Sequence, residues 1–166
     1  MTPIQNPRQR PMQTKTAHEN ELHQYLREAI YFEMFAAFQY WVAFNTVEGG
    51  ARLDLGKELQ EHVEDELKHI ERLSKRLRQL GCKPDRSMMK VTQTVGKSIA
   101  LPSEEPASML KAILEAENAG IHRYNKIAEL TIDTDPVTYR LVTDILSKEA
   151  EHVYEIEQLH MAVTNS

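Results

Sequence analysis

Two Glu-x-x-His motifs supply pairs of side chains that can bind a metal ion. They are Glu66/His69 and Glu149/His152. Residues three apart on a helix lie on one face, so each motif would present a carboxylate and an imidazole to the same ion. Carboxylate-rich ligation of this kind suits iron or manganese better than copper. A single motif is a weak indication in a chain with 7 histidines and 25 acidic residues, so its context decides.

A third motif, Glu157/His160, is predicted to lie on the surface. Glu157 lies about 80° around the helix from Glu149, at about 100° per residue, and no other helix offers it a matching set of ligands. His62 and His122 are also predicted to be surface residues rather than ligands.

The two halves of the chain repeat one arrangement of residues. Glu33 and Tyr40 are 7 residues apart, and so are Glu117 and Tyr124. A Glu-x-x-His motif begins 33 residues after Glu33 and 32 residues after Glu117. The repeat Glu…Tyr…Glu-x-x-His therefore adds one carboxylate per half. The tyrosines are predicted either to hydrogen-bond a ligand or to fill the core.

Four long helices are predicted to carry these residues, because apolar side chains recur at positions i, i+3 or i+4, and i+7. The first begins near 16–20 and ends near 47, and the others span about 54–80, 103–131 and 135–161. The connection over 82–102 is long, and the other two are short. The predicted fold class is therefore all-α: a four-helix bundle with one long crossover between its second and third helices.

Capping residues set the predicted helix bounds. Thr16 begins a potential capping box, and Gly81 is the expected C-cap of the second helix. Ser103 is predicted to cap the third helix. Asp135 is predicted to cap the fourth, with Pro136 at its first position.

Each predicted apolar stripe carries a glutamate near its centre. A buried carboxylate without a partner is costly, and four that converge in one core would cost more. Two divalent cations would supply four positive charges, and neutral imidazoles would complete their coordination. We therefore predict six metal-binding and catalytic residues: Glu33, Glu66, His69, Glu117, Glu149 and His152.

Glu115 is an alternative to Glu117 on the third helix. The face of Glu115 continues with Asn118 and His122 and is predicted to be solvated. The face of Glu117 is apolar, so Glu117 is selected, with Glu115 left open as the rival ligand.

The bulk composition is that of one globular domain. The chain has 166 residues, of which 41% are hydrophobic and 27% charged. Its net charge of −5 gives no reason to expect nucleic-acid binding, and the single Cys82 excludes an intramolecular disulfide. Residues 1–17 are predicted to be a disordered tail, and 18–166 the four-helix domain. We find no signal peptide or membrane span and expect a cytoplasmic protein.

Three segments resemble bacterioferritins. They are EMFAAFQY, which begins at Glu33; HVEDELKHIERL, which contains Glu66; and SKEAEH, which ends at His152. The resemblance covers about residues 20–160, and on the third helix it rests mainly on Glu117. It implies a ferritin-like four-helix bundle that assembles into a hollow cage, oxidises Fe(II) at a di-iron centre and stores ferric mineral.

Two differences from bacterioferritins limit what this resemblance implies about cofactor and assembly. Bacterioferritins carry a methionine directly after the second-helix glutamate, and that methionine ligates haem. Leu67 stands at this position, so no haem is expected. Only 14 residues (166 − 152) follow His152, which leaves no room for the short fifth helix that helps to close the larger cages. The expected partner is therefore another copy of the chain, in a Dps-like cage of twelve subunits or a larger one of twenty-four.

The predicted function is iron storage and detoxification, with two iron ions per subunit and manganese or zinc as possible substitutes. Glu66 and Glu149 would bridge the ions, Glu33 and Glu117 would each cap one, and O₂ or H₂O₂ would be the oxidant. One alternative is a non-cage di-iron or di-manganese oxidoreductase, such as a rubrerythrin-like peroxidase or a hydroxylase. Another is a Dps-type DNA-protecting cage, because the tail carries Arg8, Arg10 and Lys15.

The first predicted helix is apolar on more than one face. Beside its stripe it carries Phe32, Phe35, Trp41 and Val42. A helix of this kind is buried on more than one side. We expect a subunit interface there, and the alternative is packing against the chain's own crossover.

Overall fold

The computed structural model describes residues 16–47, 51–85, 93 and 104–165. Within these ranges it contains four long helices and no strand. They are α1 (Ala17–Thr46), α2 (Ala51–Gln79), α3 (Pro106–Thr131) and α4 (Pro136–Thr164). The predicted all-α four-helix fold is confirmed. Most of the predicted tail and crossover lie outside the described residues. No helix among the described residues is long and apolar enough to cross a membrane.

Three of the predicted helix caps match the structure. Thr16 and Glu19 form a reciprocal capping box at α1, with hydrogen bonds of 3.1 and 2.7 Å. Gly81 follows α2 with a φ of 71°, which glycine adopts without steric cost. Asp135 caps α4 by accepting a hydrogen bond from the Thr138 N–H at 3.0 Å.

The predicted cap of α3 is wrong. Glu105, not Ser103, is its N-cap residue. The Glu105 carboxylate accepts hydrogen bonds from the N–H groups of Ala107 and Ser108 at 3.0 and 2.6 Å. The longer side chain reaches the same free N–H groups that a serine hydroxyl would bind, and Pro106 occupies the first helical position.

The apolar core is divided into two clusters by a polar layer. The first cluster contains Leu22, Leu26, Leu73, Leu77, Tyr124, Ile127, Val142 and Ile145, among others. The second contains Tyr40, Ala43, Leu55, Leu59, Met109, Leu110, Ile113 and Ile156, among others. On every helix a predicted ligand glutamate falls between the residues of the two clusters. The ends of the bundle are therefore apolar, and its middle is polar.

The order of the clusters along each helix gives the direction of the chain. Helices α1 and α4 run from the first cluster to the second, whereas α2 and α3 run the opposite way. Helix α1 packs against α2 and α3, and α4 packs against the same two helices. Because α2 and α3 are parallel, the chain must cross the length of the bundle between them. This explains why that connection is long.

Helix α1 also places large apolar side chains on its outer face. Met34, Phe38 and Trp41 are exposed by 37%, 46% and 55%, and the rings of Phe38 and Trp41 are stacked with centroids 6.3 Å apart. Phe32 is instead buried, with the guanidinium of Arg123 3.7 Å above its ring. Part of the predicted second apolar face is thus covered by α3, and part is exposed.

Asp135→Ala is expected to destabilise the fold. Asp135 caps α4 and also accepts hydrogen bonds of 2.7 Å from the Arg76 guanidinium of α2. Removing both interactions should cost about 1–3 kcal/mol and lower the midpoint of thermal unfolding. Asp133→Ala, at an exposed position nearby, is the control and should change stability by no more than about 0.5 kcal/mol. Equal midpoints for the two variants would contradict this role of Asp135.

Candidate metal centre

The six predicted ligand residues meet in one buried cluster at the polar layer. The exposed fraction of each residue is at most 4%. Glu33 comes from α1, Glu117 from α3, and one Glu-x-x-His motif from each of α2 and α4. Each glutamate occupies a core-facing position of its amphipathic helix, and the motif histidines lie one turn further along the same faces.

The cluster consists of two overlapping donor sets. In the first, one donor atom each from Glu33, Glu66, His69 and Glu149 lie within 4.8 Å of one another. In the second, the same holds for Glu66, Glu117, Glu149 and His152. Glu66 and Glu149 belong to both sets. This is the arrangement in which two carboxylates can bridge two adjacent ions.

The first donor set converges on His69. Its Nδ1 lies 3.1 Å from Glu33 Oε2, 3.1 Å from Glu66 Oε2 and 2.9 Å from Glu149 Oε1. One ring nitrogen cannot make three good hydrogen bonds to three carboxylates. A cation in the space between them would instead engage all four groups.

The second donor set leaves buried polar atoms without hydrogen bonds. His152 Nδ1 lies 3.2 Å from Glu66 Oε1, in a geometry that does not form a hydrogen bond. Among the described residues, both nitrogens of His152 lack hydrogen-bond partners, as do Glu66 Oε1 and Glu149 Oε1. Buried polar atoms are rarely left unpaired. Their chemistry, oxygen from carboxylate and nitrogen from imidazole, fits divalent first-row metal ions.

Two tyrosines hold the carboxylates of Glu33 and Glu117 by reciprocal hydrogen bonds. The Tyr40 hydroxyl of α1 donates to Glu117 Oε1 of α3 at 2.7 Å. The Tyr124 hydroxyl of α3 donates to Glu33 Oε1 of α1. Each tyrosine is about 10.5 Å along its axis from the glutamate of its own helix, so it reaches the glutamate of the antiparallel neighbour. The tyrosines thus do both things that the sequence left open: they fill the core and they hydrogen-bond the cluster.

Protonation balances the charge of the cluster. Burial, with the nearby Glu33 and Glu149, raises the pKa of Glu66 well above its usual value, and burial with Glu149 does the same for Glu117. Burial alone would lower the pKa of His69, but the carboxylates around its ring, that of Glu149 foremost, raise it to about 11. Burial would raise the pKa of Glu149, yet its close approach to His152 and His69 holds that pKa below the usual value. The raised pKa values favour protons at the places where cations would otherwise supply charge.

A small cavity of about 20 Å³ lies between α1 and α3 and touches the four glutamates. Its other walls are Phe32, Phe35, Ala36, Ala116 and Gly120. A cavity of this size has room for about one water-sized molecule.

The structure separates Glu117 from its rival. Glu115 is exposed and lies outside the cluster, whereas Glu117 is 3% exposed and contributes to the second donor set. Glu157 and His122 are exposed, as predicted.

The predicted surface position of His62 is wrong. The residue is 2% exposed, and its ring stacks on that of His152 with centroids 4.2 Å apart. The sequence did contain a signal: His62 precedes Glu66 by one helical turn and so shares its inward face.

A family model for the ferritin-like domain matches residues 23–162. The chain belongs to the ferritin-like family. The predicted resemblance to bacterioferritins and Dps proteins is thereby confirmed at the level of the family. The chain is similar to a bacterioferritin-related protein from Bacteroides fragilis, described as a dodecameric thioferritin. It is 28% identical, with a TM-score of 0.82, over 89% of this chain and 88% of that one.

Two further proteins are similar to this chain. A DNA protection during starvation protein from Pyrococcus furiosus is 33% identical over 110 residues, which is 63% of this chain and 60% of that protein. The match therefore spans less than two thirds of that relative. Desulfovibrio desulfuricans bacterioferritin, described with a di-iron site, shares the fold with a TM-score of 0.76 and 21% identity, over 89% of this chain and 82% of that one.

Metal affinity of this ferritin-like cluster is expected to rise with pH. Glu66, Glu117 and His69 all have raised pKa values, so each holds a proton more tightly than an ordinary side chain of its type and must lose that proton to bind a cation. Titration with Zn²⁺ by calorimetry, in buffers of different ionisation enthalpy, should show proton release and tighter binding on the alkaline side of neutrality. Binding without proton release, and with an affinity independent of pH, would contradict this.

Proposed function

We propose that this ferritin-like chain oxidises Fe(II) to Fe(III) at the six-residue cluster, with O₂ or H₂O₂ as oxidant. The observation that carries the proposal is the pair of donor sets that share Glu66 and Glu149. Two Fe(II) ions bound side by side would give up two electrons together. These electrons, with two protons, reduce H₂O₂ to water or O₂ to H₂O₂, and no one-electron oxygen species is released.

The residues have distinct proposed roles. Glu66 and Glu149 bridge the two ions, because each is in both donor sets. Glu33 and His69 complete the first position, and Glu117 and His152 complete the second. Haem is not part of the proposal, because Leu67 has no ligand atom. Manganese or zinc would occupy the same donors without changing this assignment.

Tyr40 and Tyr124 are proposed to be positioning residues. Each hydroxyl donates a hydrogen bond to a carboxylate that is proposed to cap one ion: Tyr40 to Glu117, and Tyr124 to Glu33. Burial and the neighbouring glutamates raise both tyrosine pKa values well above the usual range, so the hydroxyls stay protonated and keep donating. Hydrogen bonds of this kind orient metal ligands.

The chain is further proposed to work as a homo-oligomeric cage that stores the ferric product. The exposed Met34, Phe38 and Trp41 form an apolar stripe on one face of α1, of the kind that marks a protein interface. The Bacteroides fragilis relative is described as dodecameric. A closed shell of twelve or, as in larger members, twenty-four subunits would bury the stripe and enclose a volume for mineral.

The name of the Pyrococcus furiosus relative supports one second candidate, a DNA-protecting cage. The net charge of −5 disfavours contact with DNA. Arg8, Arg10 and Lys15 of the tail, outside the described residues, are the groups that would have to make such contact. A hydroxylase would need a substrate pocket at the cluster, and the cavity beside the glutamates, of about 20 Å³, has room for about one water-sized molecule.

Glu117→Ala is expected to slow Fe(II) oxidation by about 100-fold or more, because one ion loses its capping carboxylate. Stopped-flow absorbance of the ferric product, with Fe(II) and O₂ or H₂O₂, measures this rate. Glu115→Ala is the matched control on the same helix and should retain the wild-type rate. If the two variants oxidise Fe(II) equally fast, the ligand assignment on α3 is wrong.

Trp41→Glu is expected to break the assembly, because a charge within the apolar stripe cannot be buried without a partner. Size-exclusion chromatography with light scattering should find a cage for the wild type and for Trp41→Phe, and smaller species for Trp41→Glu. A Trp41→Glu protein that still forms the wild-type assembly would show that this face is not an interface. A wild-type protein that is monomeric and forms no mineral after Fe(II) addition would contradict storage.

A further inference from the structure

A separate group of ligand-type side chains lies beside the six-residue cluster, between α2 and α4. One nitrogen of His62 and one carboxylate oxygen from each of Glu58 and Glu155 lie within 4.8 Å of one another. Glu58 and His62 are one helical turn apart on α2. His62 Nε2 lies 2.8 Å from Glu155 Oε2 of α4. None of these three residues belongs to either donor set of the dinuclear cluster.

His62 is fixed in orientation by its neighbours. Its ring stacks on His152 with centroids 4.2 Å apart and an interplanar angle of 28°, and Tyr40 contacts it edge-on at 4.8 Å. Packing of this kind on a residue that is 2% exposed leaves the ring little freedom to turn. The ring nitrogens therefore point in set directions, as in a pre-organised ligand.

No neutral form of the His62 ring satisfies both of its nitrogens. Nδ1 is buried without a hydrogen-bond partner among the described residues. A proton on Nε2 makes the bond to Glu155 and leaves the Nδ1 lone pair unpaired. A proton on Nδ1 leaves that N–H unpaired and turns the Nε2 lone pair toward a carboxylate. A cation bound to either nitrogen would use a lone pair that otherwise has no favourable partner.

The charge at this position also favours a cation. Glu58 and Glu155 are half-buried, and the Glu155 side chain is 38% exposed. Among the described residues, no lysine or arginine nitrogen lies within ion-pair distance of either carboxylate, and His62 is the ion-pair partner of Glu155. One divalent ion would balance the two negative charges without drawing on the four buried glutamates.

We propose that Glu58, His62 and Glu155 form a third divalent-cation site, which takes a first-row transition ion such as Fe²⁺, Zn²⁺ or Co²⁺. Donor atoms around a tetrahedral ion at about 2.0–2.2 Å lie about 3.4 Å apart. The donor atoms here lie within 4.8 Å of one another, so small shifts of the half-buried carboxylates would bring all three onto one ion. Water would fill the remaining positions. The site therefore binds more weakly than the buried cluster and exchanges its ion with solvent, while its imidazole touches the His152 ring of the inner site.

Metal stoichiometry of matched variants tests the site. Glu58→Gln/Glu155→Gln removes both carboxylate charges with little change of shape. Glu64→Gln/Glu157→Gln makes the same change of charge at exposed positions of the same helices. In equilibrium dialysis of the intact protein against Zn²⁺, the first variant should bind one ion fewer per subunit than the second. Other ions bound to the assembly cancel in this difference, and equal counts would overturn the proposal.

Crystals of the wild-type protein soaked in Zn²⁺ provide a measurement that needs no variant. An anomalous difference peak about 2.0–2.2 Å from a His62 nitrogen and in contact with both carboxylates is the expected result. Zinc in the six-residue cluster with no peak at His62 would sink the third site and leave the ferroxidase proposal untouched. Zinc at His62, together with normal Fe(II) oxidation by the Glu117→Ala variant, would support the third site and contradict the ferroxidase proposal.

Discussion

Four carboxylates in the middle of a helical core are the constraint on which this structure depends. Burial disfavours their ionised forms, and no arginine or lysine of the described chain reaches them. Charge is supplied instead by histidines, by protons and, in the proposed function, by two divalent ions. The apolar clusters on either side exclude water, which strengthens every electrostatic interaction in the layer between them. The four carboxylates thus cost stability when no counter-charge is present, and for the same reason they would favour the binding of cations.

The topology of the bundle turns one constellation into a two-fold arrangement. Parallel α2 and α3, joined by the long crossover, place α1 antiparallel to α3 and α2 antiparallel to α4. A tyrosine two turns beyond a glutamate then lies level with the glutamate of the opposite helix. The crossed bonds of Tyr40 with Glu117 and of Tyr124 with Glu33 follow from this geometry. They fix the carboxylates of Glu117 and Glu33 from two directions and couple the two donor sets through the packing of α1 against α3.

Helical periodicity was sufficient to predict the four-helix fold and the inward positions of the four glutamates, including the choice of Glu117 over Glu115. These features depend on one helix at a time: its apolar stripe, its caps and the angle of each residue around its axis. The rest depends on which helix lies opposite. His62 looked like a surface residue because polar side chains surround it in sequence, and its burial comes from His152 and Tyr40 on other helices. The N-cap role of Glu105 instead reflects the reach of its long side chain at a helix position that more often carries serine.

The polar layer between two apolar clusters has a consequence for the lifetime of the protein. Ions that bind the folded cluster, and not the unfolded chain, stabilise the fold by mass action, by about 1.4 kcal/mol for each tenfold excess of free ion over the dissociation constant. Without bound metal, the apolar clusters at the two ends would remain packed, whereas the buried carboxylates between them would depend on protons and histidines for their charge balance. Under the proposed function, the supply of iron would then set how much of this protein escapes degradation, as well as how much Fe(II) it oxidises.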